Sequence, residues 1–222
     1  MKKLFIITAL LFTTAVFSQR EIVITEPFSE IKIFDKIEAV LIPSTENKVV
    51  VTGFDKDELE TEVDEGILHI RLSVSNIWSE DDTQVKVYFT FVETIDSNEG
   101  AQVELRGLQQ NKILLKAQEG SRIYAEINVE ELEARIITGA EIMVKGTATN
   151  QVIEVRAGGQ FNGKEIVGKT ADVDVKAGGM AKIYASEKFR GKVTAGGNIK
   201  VYGKPTEVEE KKTFGGNIKI MQ

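Results

Sequence analysis

The sequence predicts an all-β fold, a single-stranded parallel β-solenoid with coils of about 18–20 residues, and three observations predict it. The first is a series of glycines, Gly100, Gly120, Gly139, Gly159, Gly179, Gly197 and Gly216, separated by 20, 19, 20, 20, 18 and 19 residues. Marks at near-constant spacing define an internal repeat. The second is strict alternation of apolar and polar residues on both sides of each mark, as in VDVKAGG (173–179) and AKIYA (181–185). That is the period of a strand, and the second half of the chain carries no run of helical period. The third is that a strand–glycine–strand unit of this size cannot bury its apolar face alone, but does so when stacked on copies of itself.

The first segment, residues 1–18, MKKLFIITALLFTTAVFS, stands apart from the repeats. Two lysines precede an apolar run at 4–12 and small residues follow it, the three-part pattern of a secretory signal peptide, with cleavage expected after Ser18. The run is shorter than the roughly 20 residues that span a bilayer, and no later segment is apolar enough to do so. The mature chain is therefore expected to be exported, to the periplasm, the cell surface or the medium, with no membrane span after cleavage. It has no cysteine, hence neither disulfide nor lipidated cysteine. A formal net charge of -6 argues against nucleic acid as a partner, because phosphate neutralisation calls for a basic surface.

Residues 19–222 read as one domain, less regular over 19–93 and glycine-anchored over 94–222, since no proline- or serine-rich linker interrupts them. SEIKIF (29–34), KVVVTG (48–53), GILHIRL (66–72) and VKVYFTF (85–91) supply strands in the first part. In the second part each coil must turn a sharp corner, for which glycine supplies positive φ. Asn198 and Asn217, directly after the glycines of AGGNIKVYG (195–203) and FGGNIKI (214–220), tolerate the left-handed region and fall at matching positions of successive coils. A phosphate-cradling loop would need a helix and a GKS or GKT sequence after the glycines, and neither is present.

The F-x-x-I-x-I opening, an acidic segment, a G-x-L-x-I strand and glycine turns ending in GGNIKVYG and GGNIKI together resemble the family named "putative autotransporter adhesin, head GIN domain", over about residues 28–221. The resemblance implies a right-handed single-stranded β-helix, an envelope or extracellular setting and an adhesive role. It carries over no binding residues.

Searching for chemistry yields little. His69 is the only histidine, shares parity with Arg71 on an outer face, and has no cysteine or second histidine with which to hold zinc. The acidic run 55–65 raises calcium, but Glu60 stands where an EF-hand loop needs glycine, and a solvated acidic edge is the plainer reading. No metal and no cofactor is expected. Glu154, Arg156 and Asp174 share an outer face, so a β-helical polysaccharide lyase or hydrolase is the alternative to a non-enzymatic binding or structural protein. Fold analogy alone does not transfer that chemistry.

Alternation places Ile153, Val155, Val173, Val175, Ile183, Val193, Ile199 and Val201 inside. It places Tyr124, Met143, Tyr184 and Tyr202 outside as one expected column, beside a second column of Arg122, Lys182, Lys200 and Lys219. Tyrosine faces bordered by cations are the surface expected to meet a glycan or an acidic envelope or surface protein. Trp78, in the loop NIWSEDD (76–82), is a further recognition candidate. At the C-terminal coil, end-to-end self-association is expected unless Lys211 and Lys212 discourage it.

Overall fold

The computed structural model describes residues 19–53, 56–73 and 83–221; the segment 1–18, expected to be a signal peptide, and Trp78 lie outside them. The chain runs through β1 (Arg20–Val23), β2 (Glu30–Ile33), β3 (Glu38–Pro43) and β4 (Lys48–Thr52), then a single 3-10 turn at Lys56–Glu58. It continues as β5 (Leu59–Asp64), β6 (Ile67–Leu72), β7 (Gln84–Phe89) and β8 (Thr94–Ser97). Three long bent strands follow, β9 (Gln102–Ala117), β10 (Arg122–Ile136) and β11 (Glu141–Val155). The coils then resolve into shorter strands: β12 (Gln160–Val167), β13 (Thr170–Lys176), β14 (Met180–Tyr184), β15 (Lys188–Thr194), β16 (Asn198–Tyr202), β17 (Glu207–Thr213) and β18 (Asn217–Ile220).

The architecture is a β-solenoid of about seven turns. One face, face A, stacks β7, β3, the first part of β9, β10 and β11, and then β12, β14, β16 and β18. Face B stacks β6, β2, β8, the last part of β9, β10 and β11, and then β13, β15 and β17. Every pair in these stacks is parallel. Alternation does the sorting: KFRGKVT of β15 buries Phe189 and Val193, while Arg190 and Lys192 face water. One apolar cluster runs from Ile31 to Ile218, and the eight residues expected inside are all at most 1% exposed.

At each corner between face B and face A, two consecutive residues take positive φ, the backbone of a type I′ turn. Examples are Glu119–Gly120, Thr138–Gly139, Ala157–Gly158 and Ala177–Gly178. The turns close through amide-to-carbonyl bonds such as Ser121 N–H to Gln118 O at 3.2 Å and Gly179 N–H to Lys176 O at 3.1 Å. Each corner also donates to the next, Gly120 to Thr138 O, Gly139 to Ala157 O and Gly158 to Ala177 O, all at 3.1 Å.

This corrects the role expected of the repeat glycines. Gly100, Gly120, Gly139 and Gly216 take positive φ as expected, but at three of the GG corners the left-handed glycine is the first, Gly158, Gly178 or Gly196, and not Gly159, Gly179 or Gly197. The second glycine points inward at the position that Ala101, Ser121 and Ala140 occupy in earlier coils. It is small because there is no room: a Cβ on Gly179 would lie 2.9 Å from Val155 Cγ1.

The first part of the chain departs further from simple repetition. β4 pairs antiparallel with both β1 and β7, and β5 antiparallel with β6. Space and sequence also disagree in order. β2 lies between β6 and β8, and β3 between β7 and β9, so the coil made first is enclosed by two made later.

Candidate functional site

Face B is a surface of matched charges. Lys176 bridges Asp174 at 2.8 Å and Glu154 at 3.6 Å, Arg156 pairs with Glu154, and Lys192 reaches Asp174 at 3.6 Å. Arg190 holds Asp172 at 3.1 Å and Glu209 at 3.0 Å. Glu154, Arg156 and Asp174 do come together as the alternation implies, joined in an ion-pair network and lining two shallow hollows of about 340 and 170 Å³. Asp174 Oδ1 is buried there without a hydrogen-bond partner. Carboxylates held by neighbouring cations behave as a solvated, cross-strand-paired sheet.

Face A differs. Its registered pairs put Tyr124 beside Met143, Met143 beside Asn162, Asn162 beside Lys182, Lys182 beside Lys200 and Lys200 beside Lys219. Tyr184 stands beside Tyr202 in the next column, and Arg122 beside Glu141 in the previous one. The expected single column of Tyr124, Met143, Tyr184 and Tyr202 is therefore two columns. Likewise Arg122 does not stack with the lysines, and its guanidinium lies 3.9 Å from Glu141. The cause is the corner: counted from the left-handed glycine, Tyr124 and Met143 stand two residues earlier along their strands than Tyr184 and Tyr202.

What the corrected register creates is a ladder of three lysines, one strand spacing of about 4.8 Å apart. Lys182 is half-buried, and Lys200 and Lys219 are exposed. Among the described residues none of the three has an ion-pair or hydrogen-bond partner. Like charges directly opposite in a sheet are destabilising, so an unneutralised ladder of lysines is costly to keep. The half-buried rings of Tyr184 and Tyr202 border it, and Tyr184 lies against Gly203, where a Cβ would come within 3.3 Å of Cε2.

Further along the same column the surface sinks into a groove of about 450 Å³ floored by Tyr124, Met143 and Asn162. It sits where face A bends: the register shifts between Ala125 and Ile127 against β9 and between Met143 and Lys145 against β12, and Gly107 and Gly146 take positive φ at the bend. Bulges of this kind re-aim side chains. Its rim carries matched pairs: Arg106 bonds both carboxylate oxygens of Glu104 at 2.8 Å, and Lys145 reaches Glu126 at 3.1 Å. The Arg106 hydrogen bonds hold the Glu104 carboxyl below its ordinary pKa. Asn162 Oδ1 is buried and has no hydrogen-bond partner. Alternation alone gave no reason to select Glu104, Arg106 or Asn162, since the bend and the unpartnered oxygen are three-dimensional properties.

The remaining candidates fall elsewhere. His69 is half-buried and stacks on Phe34, with ring centroids 6.2 Å apart and planes 9° from parallel. The acidic run, beyond Asp55, forms the 3-10 turn and β5; the Arg20 guanidinium ties it down by donating to the carbonyls of Lys56, Asp57 and Leu59. Among the described residues no cluster of metal-ligating side chains forms, and no helix is long and apolar enough to cross a membrane.

Comparison with known proteins gives two results. A family profile described as "putative auto-transporter adhesin, head GIN domain" matches residues 27–205. Among solved structures, a putative adhesin from Bacteroides fragilis superposes with a TM-score of 0.82 at 16% identity, covering 92% of this chain and 96% of that one. A protein described as a putative lipid binding protein from Parabacteroides distasonis gives 0.72 at 16% identity with the same coverage. A putative adhesin from Parabacteroides merdae gives 0.64 at 13%, again covering 92% and 96%. At these identities the likeness is one of fold. No curated protein matches the chain.

Proposed function

Because the chain belongs to the head GIN domain family, we propose that it is an exported, non-enzymatic binding protein of the cell envelope or exterior that engages an acidic glycan on face A. The observation that carries this reading is the unpartnered ladder Lys182–Lys200–Lys219 beside Tyr184 and Tyr202. Ammonium groups repeated at the strand spacing form charge-assisted hydrogen bonds to carboxylates or sulfates repeated along a linear chain. The neighbouring ring faces offer apolar area to the C–H faces of sugar rings. On face B, by contrast, carboxylates stand beside most of the cations, Lys211 excepted, which weakens the attraction to an anionic polymer.

The test measures binding of polygalacturonate and of poly-glutamate by calorimetry, at two ionic strengths. The reading expects polygalacturonate to bind in a salt-dependent manner. It expects binding to be lost in Lys182→Gln/Lys200→Gln/Lys219→Gln, retained in the face B control Lys176→Gln, and weakened in Tyr184→Ser/Tyr202→Ser. Unchanged binding by the triple lysine variant overturns the site. Equal affinity for poly-glutamate, insensitive to the tyrosines, replaces the glycan by an acidic protein partner.

A further inference from the structure

The groove and the lysine ladder are one track. Tyr124, Met143, Asn162, Lys182, Lys200 and Lys219 occupy consecutive rungs of the same column. At about 4.8 Å per rung, the distance from Tyr124 to Lys219 is about 24 Å. The two ends of the track differ in chemistry. The ladder is bare positive charge. The groove charges, Arg106 with Glu104 and Lys145 with Glu126, are paired, so that end is locally neutral but rich in donors and acceptors.

We propose that the groove at Tyr124, Met143 and Asn162 is a second subsite that holds a sugar ring by its hydroxyls and C–H face rather than by its charge, so that the ligand is an acidic oligosaccharide lying along the solenoid axis from the groove to Lys219. This deepens the reading of the ladder and rests on it for the anionic half alone.

Four features of the groove support recognition of a ring by its hydroxyls and C–H face. Its volume of about 450 Å³ lies within the range of small-molecule clefts. Tyr124, 39% exposed, and Met143 give an apolar floor for the C–H face of a ring. Asn162 lines the groove, and its amide N–H groups are donors for ring hydroxyls. The bidentate Arg106–Glu104 pair leaves lone pairs and N–H groups at fixed spacing for neighbouring hydroxyls. A pyranose chain advances by close to one strand spacing per ring, which lets successive rings keep step with successive rungs.

Methionine supplies separate reporters for the two halves: Met143 lies in the groove, and Met180 stands one column from the ladder on β14. The protein labelled with ¹³C at its methionine methyls is titrated with digalacturonate, hexagalacturonate and a neutral maltohexaose. The proposal expects digalacturonate to move the Met180 signal alone, maltohexaose the Met143 signal alone, and hexagalacturonate both. It also expects Asn162→Ala to weaken hexagalacturonate by about ten-fold, the loss of one hydrogen bond, while leaving digalacturonate unchanged. If Met180 responds at every length and Met143 never does, the groove subsite is overturned while the ladder stands. If Met143 responds and Met180 does not, the ladder reading fails and the groove stands. If neither responds, both are overturned.

Discussion

Consecutive glycines at a corner are expected to fail for different reasons when each gains a methyl group, and the pair Gly178–Gly179 separates those reasons. Gly178 has φ of 75° and open space around its missing Cβ, with nothing within 4 Å. Alanine there suffers only the left-handed backbone penalty, about 1 kcal/mol. Gly179 has no such backbone demand, but its Cβ would meet Val155 Cγ1 at 2.9 Å, Val155 O at 3.2 Å and Val175 Cγ1 at 3.2 Å. Both valines are 0% exposed, and one of the three contacts is a backbone oxygen fixed by the coil below. Overpacking of that kind costs about 2 kcal/mol. In urea, with m of about 2 kcal/mol per M, Gly179→Ala should lower the midpoint by about 1 M and Gly178→Ala by about half as much. Gly178→Asn should be milder than Gly178→Ala, because asparagine visits the left-handed region more readily. A Gly178→Ala variant less stable than Gly179→Ala would refute the division of labour, and equal cost for Asn and Ala at 178 would refute the backbone argument.

Two further outcomes follow from charge. Burial raises the Asp96 carboxyl above its ordinary pKa despite the nearby Lys116 and Lys32. The folded state therefore binds the proton more tightly than the unfolded chain, and stability falls as pH rises from the ordinary carboxylate range through the raised pKa. Asp96→Asn should flatten that slope in urea midpoints measured across the acid range and be more stable than wild type at neutral pH; an unchanged slope removes Asp96 as its source. On the ladder, Lys200→Gln relieves repulsion from Lys182 and Lys219. It should stabilise the protein by a few tenths of a kcal/mol at low ionic strength, a gain that vanishes in high salt. A loss of stability at low salt would mean that the ladder is not under like-charge strain.

The sequence made the inward and outward faces of each strand readable because that information is local: two residues of spacing decide it, and Val173, Val175, Ile199 and Val201 are buried accordingly. The corner class was readable as well, since a two-residue left-handed turn leaves glycine at a fixed interval. Which glycine of a GG pair turns the chain was not, because backbone conformation and lack of side-chain room select the same residue. Tyr124 lies four residues after its left-handed glycine and Tyr184 six after its own, so the two fall in different columns, as do Arg122 and Lys182. Alternation puts these lysines and tyrosines on the outer face, but their adjacency depends on register between coils. Nothing local marks the enclosure of β2 and β3 between later strands, because inter-coil pairing at the first coils is decided by partners more than 25 residues away.

That enclosure gives the molecule a mechanical polarity. From β18 backwards, a coil can be peeled off by opening one ladder on each face, a stepwise unzipping of the kind a one-dimensional stack allows. Tension entering through β2 meets a different geometry. The strand is clasped by β6 on one side and β8 on the other, and β3 by β7 and β9, so extraction must shear four parallel ladders together. A load transmitted from the N-terminal side is therefore borne collectively, while the lysine ladder rests on the coils that can yield one at a time.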